Sequence, residues 1–187
     1  MRKFAFRPTL TFKGRTFKGL RGWSGKPMHP PLTDFPIAAY IFGAAFDVIS
    51  FVGRHHAWSR EFWHAGTYTF VGGAAVSLLT ALTGFWDWLK STEKGTQARR
   101  TVNAHAWTMA SVTVLALIDI AVRLNNYNVC FHTPVGVAAL SAVIAGLVSF
   151  GATFGGTLVY DYGFNVETAG DHPAWHVSET DVFPGDH

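Results

Sequence analysis

Charge is scarce in this sequence. Lys, Arg, Asp and Glu make up 14% of its 187 residues, against about a quarter in an ordinary soluble domain. The shortage is concentrated in four blocks, Phe35–Gly53, Tyr68–Leu89, Ala104–Val122 and Pro134–Leu158. Each is at least about 18 residues long, enough to cross a hydrocarbon core of roughly 30 Å as a helix. Helix is required because lipid cannot satisfy an exposed backbone. Cysteine is nearly absent as well. With Cys130 alone, an intrachain disulfide and a thiolate metal cluster are both excluded, and Cys130 reads as an ordinary thiol near a helix end. There is no Gly-rich phosphate loop, no Gly-x-Ser-x-Gly elbow and no His-Glu-x-x-His helix, so the familiar nucleotide, esterase and zinc-protease chemistries have no foothold. A cleavable signal peptide is not expected, because the basic segment ahead of the first apolar run is longer than thirty residues, well beyond a signal n-region.

What is present is an all-α, four-transmembrane-helix bundle, with orientation written in its basic residues. Arg2, Lys3, Arg7, Lys13, Arg15, Lys18, Arg21 and Lys26 precede the first run, and Lys90, Lys94, Arg99 and Arg100 lie between the second and third. The opposite side has only Arg54, Arg60 and Arg123. Lys and Arg collect in cytoplasmic loops, so both termini are expected to be cytoplasmic. Three regions follow: a basic-aromatic arm (1–30), the four-helix domain (31–160) and an acidic tail (161–187). The arm interleaves Phe4, Phe6, Phe12, Phe17 and Trp23 with its cations. Beside a membrane helix this suits anionic head groups and an interfacial position better than nucleic acid. The tail carries six acidic residues and no Lys or Arg. Arm and tail can pair with each other, or each can dock another membrane subunit.

Thr33 and Asp34 suggest the cap of the first helix, with Pro36 in its first turn. Gly151 and Gly155 form a small-xxx-small pair on the fourth helix, a pattern that lets helices pack closely. Ionisable groups within the spans are costly and stand out for that reason. Asp47 falls late in the first helix, while Asp119 and Arg123 sit one turn apart on the third. One Arg serving two carboxylates would clamp helix one to helix three; a proton path or ligand site is the alternative. The histidines sort by side. His29 and His105 fall at the cytoplasmic starts of helices one and three, and His64 and His132 at the outer starts of helices two and four. Facing imidazoles inside a bundle are what haem b requires; His105 with His29 would hold one haem, and His64 with His132 a second. Without a cofactor, His105 would instead hydrogen-bond Asp87, which could equally orient a ligating imidazole. His55, His56, His172 and His176 read as solvated surface.

Several of these residues also form an ordered pattern. Gly25-Lys26-Pro27-Met28-His29-Pro30-Pro31-Leu32 is followed by Phe35-Pro36-Ile37-Ala38, then Asp47, Gly84 with Asp87-Trp88, His105, Arg123, and Gly155 to Tyr160 with Gly163 and Val166. Over residues 25–166 this resembles a bacterial membrane family known only as domain of unknown function 2231, whose opening pairs two histidines. Lys26 stands where the first would be. The resemblance implies a four-helix protein of the bacterial cytoplasmic membrane, in a family sometimes joined to redox domains. It supplies no activity. The expected function is therefore a non-catalytic membrane subunit that anchors or assists an electron-transfer complex, respiratory or photosynthetic; the alternative is a haem b electron carrier.

The basic bias makes topology testable. Tags at residues 1 and 187 should both be reached only from the cytoplasmic side, and a label at position 60 only from outside. External protease access to either terminal tag would reverse the assignment.

Overall fold

The computed structural model describes residues 27–91 and 93–166. Residues 1–26 of the basic arm, His172, His176 and most of the acidic tail lie outside the described residues. Four helices account for nearly all of the rest: α1 His29–Val52, α2 Ser59–Ser91, α3 Gln97–Asn126 and α4 Val135–Tyr160. All four are long and apolar enough to cross a membrane. Their 24 to 33 residues correspond to about 36–50 Å at 1.5 Å per residue, so they outrun the hydrocarbon core. That is why α2 and α3 begin well before the apolar runs that announce them.

The start of α1 differs from the sequence expectation. It begins at His29, with Pro30 and Pro31 in its first turn, where a missing N–H and a fixed φ cost nothing. Thr33 does not cap; its hydroxyl donates to the Pro30 carbonyl at 2.6 Å. Pro36 then falls inside the helix and leaves the Leu32 carbonyl without its helical donor. The Thr80 hydroxyl on α2 shares its one proton between that carbonyl, at 3.2 Å, and the Val76 carbonyl of its own helix, at 2.9 Å, so the break in α1 is partly met from its neighbour. α3 starts conventionally, the Thr96 hydroxyl accepting from the Arg99 N–H at 3.1 Å.

The helices form a ring in chain order. α1 packs on α2 and α4, and α3 on α2 and α4, while the diagonal backbones stay apart. All four contribute to a core of Tyr40, Phe70, Val112, Ala116, Ile144 and Val148. Gly151 lies against Met109 and Thr108, and Gly155 against His105, so the small-residue pair of α4 is the surface on which α3 rests. The outward faces carry exposed Phe35, Leu82, Trp107 and Phe150, the surface a bilayer-embedded bundle presents. α1 and α3 run in the same direction. Their amino-terminal ends define the histidine end of the bundle; the opposite end, with the 53–58 and 127–134 loops, is the arginine end.

Candidate functional site

Two side-chain bridges cross the α1–α3 diagonal, one at each end. At the arginine end the structure brings together Asp47, Asp119 and Arg123, all fully buried. Both terminal nitrogens of Arg123 donate to the Asp47 carboxylate, Nη1 at 3.0 Å and Nη2 in a closer contact. Its Nε donates to Asp119 Oδ2 at 2.5 Å. The guanidinium lies between aromatic faces, 4.4 Å from the Phe70 ring centre and 5.4 Å from that of Trp63, an arrangement suited to a desolvated cation. Gly66 on α2 makes room, since a Cβ there would stand 2.8 Å from Asp47 Oδ1.

The cluster continues into the adjoining loops. The Thr133 hydroxyl donates to Asp47 Oδ1 at 3.1 Å, and the Thr133 N–H donates to the Ser50 hydroxyl at 2.9 Å. Ser50 and Ser59 each donate to the other's carbonyl at 2.8 Å. Residues from α1, α3 and the entries to α2 and α4 thus share one buried polar network, as low-dielectric surroundings demand.

At the histidine end the rings of His29 and His105 meet with centres 6.2 Å apart and planes crossing at 86°. His29 Nδ1 is 3.0 Å from the Thr80 carbonyl on α2, with the Thr83 hydroxyl 3.3 Å away. His105 Nδ1 is 2.9 Å from the Gly151 carbonyl on α4. A carbonyl can only accept, so in both bonds Nδ1–H is the donor. The partner thereby fixes the tautomer: each Nε2 carries a free lone pair. Among the described residues neither Nε2 has a hydrogen-bond partner. One imidazole reaches from α1 to α2 and the other from α3 to α4, so the pair joins all four helices. Gly84 is shaped to His29; a Cβ there would stand 2.5 Å from the ring's Cε1.

The remaining sequence candidates are placed differently. His105 bonds Gly151 rather than Asp87. His29 is the first residue of α1. His64 stacks on Tyr127, with ring centres 4.4 Å apart, and makes no ring contact with His132, which belongs to the loop before α4. His56 stacks on Trp58. Thr80, Gly66 and Thr133 had no sequence signal, because each matters only through a neighbour far away in the chain. The described residues hold no group of three or more His, Cys, Asp or Glu that could bind a metal ion. A metal at the histidine pair would therefore have to bring most of its own ligands.

Residues 25–168 match the model of the family described as "Predicted membrane protein (DUF2231)". No curated protein and no solved structure gives a match.

Removing the cation of the buried cluster should be costly. Arg123→Leu should destabilise the folded protein by about 3–5 kcal/mol, the usual loss when one partner of a buried pair is deleted. Adding Asp47→Asn and Asp119→Asn to it should recover part of that loss. Thermal unfolding in detergent measures both, and an unchanged midpoint for Arg123→Leu would show that the cluster does not hold the helices.

Proposed function

The chain belongs to the DUF2231 family of predicted membrane proteins, and from that premise we propose that it is a non-catalytic membrane subunit that holds one haem b between His29 and His105 for electron transfer. The arrangement of these two imidazoles carries the reading. A ligating histidine needs one nitrogen donating to a fixed acceptor and the other bare, and both rings meet that condition. Separation fits as well. The ring centres are 6.2 Å apart, near enough for both imidazoles to serve one site.

Two protein ligands are what an iron already held by four porphyrin nitrogens requires, and bundle interiors are a common place for such cofactors. Haem supplies a one-electron couple there. The chain's own residues bind, orient and shield: Thr80 and Gly151 fix the two tautomers, and Gly84 leaves room beside His29. This geometry moves haem ahead of a purely anchoring role. His64 and His132 do not pair, and no second haem is proposed.

The setting we propose is the cytoplasmic membrane of a bacterium, with the histidine end and both termini on the cytoplasmic side. The support is the basic bias around the first helix and the 90–100 loop. The electron-transfer partners would be other subunits of a respiratory or photosynthetic complex. The basic arm and the acidic tail, oppositely charged, offer two docking surfaces, and the Gly-rich fourth helix a third.

Protein purified with haem supplied should show a reducible Soret band and split visible bands of six-coordinate iron at one haem per chain. His29→Ala and His105→Ala should each abolish that spectrum, whereas His64→Ala should leave it unchanged. A folded wild-type protein that takes up no haem would sink the proposal and leave the anchoring role.

A further inference from the structure

The buried cluster at the arginine end is unbalanced in charge, and its hydrogen bonds show where. Two carboxyl groups face one guanidinium. Arg123 directs both terminal nitrogens to Asp47, whose Oδ1 also accepts from Thr133. Asp119 receives a single bond, at Oδ2. Its other oxygen, Oδ1, is buried and has no hydrogen-bond partner among the described residues.

Among the described residues Arg123 is the one cation that acts on Asp119. Arg123 on its own helix and Asp47 on α1 are the charged groups that act on Asp119. α2 turns the rings of Trp63 and Phe70 to the cluster, and α4 holds no titratable side chain from Val135 to Val159. A bare carboxylate oxygen in such surroundings is severely penalised. A proton on it cancels the surplus charge and leaves the bond from Arg123 to Oδ2 intact.

Asp119, itself fully buried, also borders a surface groove. It lies along a groove of about 390 Å³ between α3 and α4, lined by Val122, Asn126, Pro134, Gly136 and Leu140 besides Asp119 itself. Asn126 ends α3 and Pro134 caps α4, so the groove reaches the arginine end. We propose that Asp119 is a proton-binding site of the membrane domain, carrying an exchangeable proton on Oδ1 that passes to and from the aqueous phase at the arginine end through the α3–α4 groove.

Infrared spectroscopy of the full-length protein in detergent reads this directly. The wild type should show the carbonyl stretch of a protonated carboxylic acid in an apolar setting, and the band should shift when the solvent is changed to D2O. Asp119→Asn should remove it and Asp119→Glu should shift its frequency; Asp47→Asn should also remove it, because Asp119 is then the one carboxylate left to balance Arg123. Gly136→Leu fills the groove from a position whose Cβ would meet open space; it should preserve the band and slow its exchange several-fold. No such band in the folded wild type would overturn the proposal. So would a band that survives Asp119→Asn, or exchange that Gly136→Leu leaves unchanged.

Discussion

The Asp47–Arg123 ion pair is the constraint on which the rest of the bundle depends. α1 and α3 are diagonal neighbours whose backbones do not approach, so only side chains can set their relative depth. Replacing a buried ion pair by well-fitted apolar groups often costs nothing, whereas separating its partners costs about 3–5 kcal/mol. A pair of this kind therefore specifies register more than it adds stability. Sliding α1 by one turn would move Asp47 about 5.4 Å along the axis and strand both charges in a setting that cannot solvate them.

That register is felt at the far end of the same two helices. Asp47 follows His29 by eighteen residues, and Arg123 follows His105 by eighteen. At 3.6 residues per turn this is about five turns, or roughly 27 Å. Both members of each set consequently lie on one face of their helix. A depth setting that seats Arg123 on Asp47 also brings His105 level with His29. The second pair of helices then holds the imidazoles in place, α2 through the Thr80 carbonyl and α4 through the Gly151 carbonyl. In this way the charged end fixes the height of the rings, and backbone acceptors fix their tautomers.

Part of this was legible in the sequence because it is local. Four apolar runs mark four crossings, and Asp119 with Arg123 four residues later marks a polar face on an apolar helix. Asp47, as the other ionisable group deep in a span, was the natural partner for Arg123. The helix ends were less legible, since hydropathy registers the lipid-facing stretch and not the turns beyond it. His29 illustrates a second difficulty: followed by two prolines it reads as a turn, yet prolines fit the first turn of a helix. The acceptor for His105 could not be read at all. A side-chain carboxylate such as Asp87 is visible in a sequence, whereas a backbone carbonyl at Gly151 belongs to every residue alike and is singled out only by packing. The same holds for Thr80, which meets the Leu32 carbonyl only because Pro36 releases it.

We propose that the two imidazoles that meet across the bundle hold one haem iron. The electron paramagnetic resonance spectrum of the oxidised, haem-loaded protein tests it most directly, because that signal reports ligand number and the angle between the ring planes. Rings crossing at 86° predict a low-spin ferric signal of strong anisotropy, as near-perpendicular imidazoles produce. A high-spin signal, or the rhombic low-spin signal of near-parallel rings, would contradict the account.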